Sequence, residues 1–484
     1  MEREVIFYLP AEVVSRELDS RLMIASVLVG KGHTVFFGQP NVIERSALKF
    51  PGVFLHKMHS LGDKSLVKRL SESGNIVAAI DEEALHQSDV GSWIQRQTHS
   101  ETVRLLSRIF ANSEEQYLAL RGAYSDDSSR VVLTGNPRLE MLKPEFRGLR
   151  SVSAKKARFP APYLLIITNF ASANLAKSYG MSASSHLAMT VNVDRHVVLS
   201  PAESLEKQRW IENQIQFEMA QLEIYKDVVK RLAEKFPNIS LVLRPHPVEE
   251  IRTWRTALKG FANVRVDRTG PASNWIENAV CIVHPGSTTS LEAFHLGKKA
   301  FHFSPVPFRG IFEVNRIEAP AYFGEKVEDL DTLIAAISQQ LRAPGIARKH
   351  PTEIPAISES FSHVEIAEQL VVLAGAAPYF RQLFTAKLHF FWVANLVEIF
   401  AVIQVFKSLF VSLFQAARSD LGSNYLKFPW ISFRTVSLRL WELANRSRDD
   451  SCNFGRNWRL LQWGPRAFTL EGHGGRHFDF ARQA

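Results

Sequence analysis

The sequence predicts an α/β protein of two doubly wound units that face each other across a cleft, with a helical C-terminal tail. Short apolar strands alternate with helical patterns in two separate stretches, and a basic, Pro-containing segment without periodicity joins them. Such alternation implies parallel sheets covered by helices. A chain of 484 residues also exceeds one ordinary core. We therefore expect an N-terminal domain over 1–150, a second domain over 151–375 and a tail over 376–484.

The first unit begins at once with a buried strand. A helix is predicted over 17–29, and Gly30 or Gly32 fits its C-terminal cap. The predicted strands of this unit are residues 5–9, 34–37, 53–55, 75–80, 108–111 and 130–134.

Residues 144–162 are predicted to be the linker, and a second alternating unit follows. Its predicted strands are residues 163–167, 239–243, 264–266, 280–283 and 300–303, and a long helix is predicted over 204–236. The polar segment 169–201 is typical of a mobile substrate loop beside a strand end. Two units joined in this way place the carboxyl ends of their strands across a shared cleft, which is the GT-B architecture.

The tail differs from the body in charge and composition. Residues 376–484 hold 14 Lys and Arg against 7 Asp and Glu, a difference of +7 out of the net +9. An apolar stretch at 389–414, interrupted by polar residues, fits either an interfacial amphipathic helix or a buried helix pair. The stretch from about Arg446, rich in Arg, Gly and Trp, is expected to be poorly ordered. Without a recognisable nucleic-acid reader motif, the basic tail favours an inner-membrane surface over nucleic acid as partner.

Bulk composition places the chain among folded globular proteins, with 46% hydrophobic and 22% charged residues. The two cysteines, Cys281 and Cys452, lie far apart and fit incidental thiols better than a disulfide framework. The start of the chain shows no secretory signal. We therefore expect a cytoplasmic protein that can associate peripherally with the inner membrane.

Two strand ends in the second unit carry the clearest chemistry. One strand runs into the hydroxyl-rich turn at 284–289, and a helix begins directly after this turn. The unpaired N–H groups and the dipole at the start of a helix form an anion-binding site. Another strand ends in Arg-Pro-His-Pro at 244–247, where the prolines hold the imidazole at the edge at which doubly wound folds bind ligands. A nucleotide-sugar donor fits both. The predicted donor-binding residues are Arg244, His246, His284, Ser287, Thr288, Thr289 and Glu292.

Each of these residues also has a plain structural interpretation. Thr289 and Glu292 have capping-box spacing, so they can simply cap the helix. A lone buried His284 is usually structural, and Arg244 can be a solvated side chain in a strand-terminating loop.

The first unit is expected to hold the acceptor and the catalytic base, because transfer requires removal of a proton from the acceptor hydroxyl. Candidate bases are Glu17, at the start of the first helix, and Glu82 and Glu83, which follow Asp81 after a strand. Arg16 and Asp19 are candidate acceptor-binding residues. Acidic residues in a first helical turn are also ordinary dipole partners, and Arg16 can merely pair with Glu17.

No Asp-x-Asp stands at a predicted strand end, and no His/Cys cluster is visible. We therefore expect no metal and no cofactor besides the nucleotide-sugar co-substrate, with positive groups and a helix end neutralising the leaving phosphate.

Several sequence pieces together resemble the bacterial surface carbohydrate biosynthesis protein family. They are distantly similar to capsule Kdo transferases and CDP-glycerol glycerophosphotransferases. The pieces are residues 15–21, 81–83, 134–138, 168–170, 244–247, 284–293 and 427–432. The resemblance covers about 1–375 plus the last piece and implies a GT-B fold. It implies that His246 contacts donor phosphate and that Glu292 binds ribose hydroxyls, but it does not identify the donor sugar.

The leading expectation is a metal-independent glycosyltransferase of surface polysaccharide (capsule or lipopolysaccharide) biosynthesis. It would use a nucleotide-activated donor, with a CMP-linked acidic sugar as one candidate, and a lipid-linked or glycan acceptor. A CDP-glycerol-type polyol-phosphate transferase is an alternative, although the His-Gly base element of those enzymes has no convincing counterpart here. A UDP-N-acetylglucosamine 2-epimerase-like enzyme shares the fold and the Thr-Gly-Asn-Pro hinge, but it would need neither an acceptor nor a membrane tail. A non-enzymatic scaffold is the fourth possibility.

Overall fold

Two open parallel sheets, each flanked by helices, form the body of the molecule, which confirms the predicted fold. The computed structural model describes residues 5–12, 14–81, 93–94, 98–143, 146, 162–177, 182, 184, 201–303, 323–342, 361–375, 386–387, 389, 458–464 and 467–472. Most of the predicted linker at 144–162 and most of the predicted substrate loop at 169–201 lie outside these residues.

The first sheet contains six parallel strands in the order β2-β1-β3-β4-β5-β6. Its strands are β1 (Ile6–Pro10), β2 (Thr34–Gly38), β3 (Val53–His56), β4 (Ile76–Ile80), β5 (Arg108–Ala111) and β6 (Val131–Leu133). The connecting helices are α1 (Val14–Gly30), α2 (Pro40–Lys49), α3 (Lys64–Glu72), α4 (Ser100–Leu105), α5 (Glu114–Ala123) and α6 (Pro137–Glu140). β1, β2 and β3 are buried along their whole length, as expected for strands covered on both faces.

Gly32 resolves the two alternatives for the end of the first helix. α1 runs through Gly30, and Gly32 has φ +87°. Its N–H donates to the carbonyl of Val29 and the N–H of His33 donates to that of Leu28. A left-handed residue at this position is the usual glycine termination of a helix.

The second sheet has the strand order β12-β11-β10-β7-β8-β9. Its strands are β7 (Tyr163–Ile167), β8 (Ser240–Arg244), β9 (Val264–Val266), β10 (Ala279–His284), β11 (Lys299–Phe303) and β12 (Glu325–Val327). Its helices are α7 (Pro201–Lys235), α8 (Ile251–Ala257), α9 (Ala272–Asn278), α10 (Thr289–His295) and α11 (Leu330–Arg342). The chain order reverses between β7 and β10, so the switch point of the sheet lies there.

Helix α12 (Ser362–Ala374) returns to the first sheet, although the predicted boundary grouped it with the second domain. Its apolar face, with Ile366, Ala367 and Leu370, belongs to the core around β1 and α1. Glu140 receives hydrogen bonds from the N–H groups of Ser362 (2.6 Å) and His363 (3.1 Å) at the start of this helix. The first domain is therefore built from discontinuous parts of the chain.

The expectation of a helical tail with a poorly ordered end is wrong for residues 458–472. β13 (Trp458–Gly464) and β14 (Ala467–Gly472) form a hairpin, and β14 pairs antiparallel with β2. Phe468 is fully buried and stacks on Phe37 with ring centroids 5.3 Å apart. β2 would otherwise be an edge strand with unpaired backbone groups, and pairing with β14 satisfies them.

Only the beginning of the apolar stretch at 389–414 lies within the described residues. Ala386 is fully buried in the core on the other face of the first sheet. His389 lies against Phe50, with ring centroids 5.2 Å apart. Within the described part of the chain, no helix is both long enough and apolar enough to cross a bilayer.

Candidate active site between the two sheets

The carboxyl edges of the two sheets meet at one ion pair. Arg138 lies in α6, directly after β6, and Glu292 lies in α10, directly after the turn that follows β10. Arg138 Nη2 donates to Glu292 Oε1 at 3.1 Å, and the two side chains are 16% and 10% exposed. Residues that follow strands of the two sheets are therefore in direct contact.

The turn after β10 is organised by a buried histidine. His284 is fully buried, and its Nδ1 accepts the N–H groups of Gly286 (3.1 Å) and Ser287 (3.0 Å). Nδ1 therefore carries no proton, and the proton of a neutral ring lies on Nε2. The ring of His302, at the end of β11, stacks on His284 at 5.4 Å. Gly286 has φ +105°, and a Cβ there would lie 3.3 Å from His302 Nε2.

The hydroxyl groups of the turn also have local partners. Ser287 Oγ accepts the Thr289 hydroxyl at 2.8 Å and the Thr289 N–H at 3.3 Å. Thr288 is the N-cap of α10 but makes no side-chain capping bond. A phosphate bound at this turn would have to exchange these hydrogen bonds for its own.

Glu292 does not form a capping box, because the N-cap is Thr288 and Glu292 therefore lies one position beyond N3; its carboxylate instead accepts Arg138. Arg244, at the end of β8, lies close enough for Glu292 to be the strongest opposing charge on it. Burial lowers the pKa of Arg244 to about 10, while the charges of Glu292 and Asp267 act in the opposite direction. The guanidinium donates to the carbonyls of Thr269 (3.2 Å) and Gly270. Glu292 thus pairs with Arg138, and its charge also acts on Arg244.

His246 is half-buried two residues beyond the end of β8. Its Nδ1 accepts the N–H of Val248 at 3.4 Å, and its own N–H donates to Glu249 Oε1 at 3.0 Å. Arg268 Nη1 donates to the carbonyls of Pro247 (2.9 Å) and Glu249 (2.6 Å). The Arg-Pro-His-Pro segment is therefore held by its neighbours, as expected of a preformed site.

On the first sheet, the structure brings Glu17 to the switch point between β1 and β3. Its Oε2 accepts the N–H of Glu12 at 2.6 Å, and its Oε1 lies 3.2 Å from Lys57 Nζ. Lys57 follows β3 and also contacts Glu12 Oε2 at 2.9 Å. Glu17 is 2% exposed. One lysine therefore lies between two carboxylates at the position where doubly wound sheets bind ligands.

The other predicted residues of the first domain are described only in part. Asp81 is buried, and its Oδ2 accepts Trp93 Nε1 at 3.1 Å. Asp19 is half-buried on α1. Glu82, Glu83 and the side chain of Arg16 lie outside what the structure describes, so their predicted roles stay predictions.

Four site residues escaped the sequence analysis: Glu12, Lys57, Arg138 and Glu249. Lys57 directly follows β3, and Glu12 lies two residues after the end of β1. A search for charged residues just after every predicted strand would have found both. Arg138 stands in the Thr-Gly-Asn-Pro-Arg piece at 134–138, but its partner is 154 positions away in sequence. Glu249 follows His246 by three residues, and nothing local distinguishes it from Glu250.

No three His, Cys, Asp or Glu residues form a group suited to a metal ion in the described ranges. Cys281 is fully buried within β10, and burial raises the pKa of its thiol to about 12. This thiol is part of the core.

Comparisons with known proteins give structural similarity only. No family model matches the chain, and no curated protein matches it by sequence. UDP-GlcNAc 2-epimerase from Neisseria meningitidis bound to UDP-GlcNAc aligns with a TM-score of 0.46 and 15% identity, covering 76% of this chain and 100% of that one. The Methanocaldococcus jannaschii UDP-GlcNAc 2-epimerase aligns at 0.46 and 13%, covering 76% and 99%. A variant of the wall teichoic acid polymerase TagF aligns at 0.42 and 10%, covering 77% and 89%.

Proposed function

We propose that the protein is a glycosyltransferase that moves a sugar from a nucleotide-activated donor to a lipid-linked or glycan acceptor of a bacterial surface polysaccharide. The contact between Arg138 and Glu292 is the observation that carries the proposal, because it brings the carboxyl edges of the two sheets together. A reaction between two substrates needs such an arrangement, with one substrate on each sheet.

The second sheet supplies the donor side of the proposal. Arg138 pairs with Glu292, and Arg244 lies at the end of β8 in the sheet that carries Glu292, so the site combines cationic groups for phosphate with a carboxylate that can accept ribose hydroxyls. Positive groups placed where a phosphate leaves would stabilise the negative charge that develops there, without a metal.

The first sheet supplies the acceptor side. Glu17 is the described carboxylate best placed to accept the proton of an acceptor hydroxyl, since it lies at the switch point and is nearly excluded from water. Its contact with Lys57 holds the carboxylate in a defined position, which a general base requires.

A two-stage experiment tests the function. Thermal shift is first measured with CMP-, CDP-, UDP- and GDP-sugars in the presence of a chelator, because a ligand of the native state raises the melting temperature. The stabilising donor is then incubated with and without lipid-linked acceptors, and the products are analysed. Sugar transfer that needs an acceptor supports the proposal. Epimerisation of the donor without an acceptor, or transfer of a polyol phosphate, would replace it with one of the alternatives.

We further propose that the basic tail brings the enzyme to an anionic membrane surface. Each basic residue near an anionic leaflet contributes about 1 kcal/mol, so a few suffice for reversible attachment. The full chain should sediment with anionic vesicles at low salt and less at high salt, whereas replacing Arg446, Arg448 and Arg456 by Gln should weaken sedimentation. Equal sedimentation of both proteins would argue against this role of the tail. Removing the whole tail is unsuitable, because β14 belongs to the first sheet.

A further inference from the structure

Glu249 is a fully buried carboxylate of the second domain. It lies between β8 and α8, three residues after His246. In the described part of the chain, no Lys, Arg or His side chain forms an ion pair with it. A buried carboxylate is costly unless hydrogen bonds compensate it.

Five donors surround this carboxylate. Oε1 accepts the Thr168 hydroxyl (2.8 Å) and the N–H groups of Phe170 (3.2 Å) and His246 (3.0 Å). Oε2 accepts Trp254 Nε1 (2.9 Å) and Asn174 Nδ2 (3.3 Å). Because all five groups donate, only the ionised carboxylate can accept them all; a carboxamide would direct its own N–H groups at other donors.

The donors come from three separate parts of the second domain. Thr168, Phe170 and Asn174 belong to the segment that follows β7, His246 follows β8, and Trp254 lies in α8. The main chains of the two loops also touch: Thr168 N–H donates to the Arg244 carbonyl at 3.2 Å and Ala176 N–H to the Val248 carbonyl at 2.9 Å. β7 and β8 are neighbouring strands, and β7 borders the switch point.

We propose that Glu249 is the positioning residue of the donor site, fixing the loop after β7 and the His246 loop relative to each other. The inference rests on the proposed function only insofar as that loop pair binds the nucleotide. Glu249 itself touches no substrate in this account; it acts through His246 and the 168–174 segment.

Glu218 provides a matched control on the same loop. It is a mostly buried carboxylate of α7 that accepts the N–H groups of Ser172 (2.7 Å) and Ala173 (3.2 Å). Among the described residues, no hydrogen bond connects Glu218 to the His246 loop. Glu218→Gln therefore disturbs one loop alone, whereas Glu249→Gln disturbs the connection between the two.

Hydrogen exchange and nucleotide affinity together test the proposal. In Glu249→Gln, exchange should accelerate in both loops, at 168–176 and at 244–250, while the strands β7 and β8 stay protected. The nucleotide Kd of this variant should rise about tenfold, because at least two donors lose their acceptor. Glu218→Gln should accelerate exchange at 172–173 only and should retain the wild-type Kd. Should Glu249→Gln fail to fold, Thr168→Val removes a single donor and should give a smaller change of the same kind.

Two results would contradict the proposal. Unchanged exchange at 244–250 in Glu249→Gln would overturn the positioning role, and accelerated exchange with an unchanged Kd would overturn its importance for the donor. If the wild-type protein binds no nucleotide, the proposed function fails, and the exchange pattern still shows whether Glu249 connects the loops.

Discussion

Charged groups near the carboxyl edges of the two sheets have different partners. On the first sheet, Lys57 lies between Glu12 and Glu17, and His56 lies 3.0 Å from Asp63. On the second sheet, Arg244 and Arg268 donate to backbone carbonyls and Glu249 accepts only uncharged donors, while Glu292 pairs with Arg138 of the first domain.

The two kinds of partner suit two different chemical tasks, the binding of an anion and the removal of a proton. Carbonyl dipoles hold a guanidinium in place without neutralising it, so its field remains available to a polyanion such as a diphosphate. Ion pairs cancel much of that field but hold the carboxylate of Glu17 in a defined position, which proton removal requires. This contrast supports the proposal that the anionic donor binds at the second edge and that the base lies on the first.

The largest expected effect tests the base on the first edge. Glu17→Gln keeps an acceptor for the Glu12 N–H but removes the basic carboxylate, so kcat should fall by roughly 10²–10⁴-fold with donor Kd unchanged. Steady-state kinetics and calorimetry measure the two quantities. Glu368→Gln is the control, because Glu368 pairs with Lys31 just beyond the opposite end of α1 (2.7 Å). Normal turnover in Glu17→Gln would move the base to Glu82, Glu83 or the 169–201 segment.

The next prediction concerns how the first sheet is completed. Phe468 is fully buried against Phe37, so Phe468→Ala should lower the free energy of unfolding of the first domain by roughly 3–5 kcal/mol. Denaturant unfolding followed by hydrogen exchange of β2 measures this loss. An unchanged stability would mean that the hairpin is not part of the folded domain. The second sheet contains neither β13 nor β14, so its backbone amides should stay protected from hydrogen exchange.

The third prediction tests the cation of the second edge. Removing a buried, hydrogen-bonded charge from a binding site costs about 2–5 kcal/mol, so Arg244→Met should weaken nucleotide binding by roughly 30-fold or more. Arg130→Met is the matched control, because Arg130 also donates to backbone carbonyls but lies at the amino end of β6. Similar affinities of both variants and wild type would remove Arg244 from the donor site.

The smallest effect is a pH dependence of the first edge. Burial raises the pKa of the Asp63 carboxyl, but hydrogen bonds from His56 and Ser60 and the charge of His56 outweigh it, so the pKa lies below its ordinary value of 3.8. A lowered pKa means that the folded state favours the carboxylate, so this stabilisation is complete above that ordinary value and disappears as the pH falls through the folded-state pKa. Asp63→Asn should melt a few degrees below wild type at pH 7, and the gap should close in acid. A difference in melting temperature that does not change with pH would contradict this account.

Local sequence patterns were sufficient for the α/β class, because period and turn residues are local signals. The strands near 163–167, 264–266 and 108–111 appear with the predicted bounds, and the long helix shifts by only a few residues. The hairpin at 458–472 was missed because its order depends on the exposed edge of β2, which lies more than 400 positions earlier in the chain.

The sequence by itself determined which residue types stand at the ends of the strands, since each strand and the residue that follows it are contiguous. It also determined that a hydroxyl-rich turn opens α10. Only the tertiary structure decided the partners: Arg138 for Glu292, Lys57 for Glu17, and three separate segments around Glu249. The physical reason is that these charges are buried, so each must find its compensation in three dimensions among groups that chain order does not bring together.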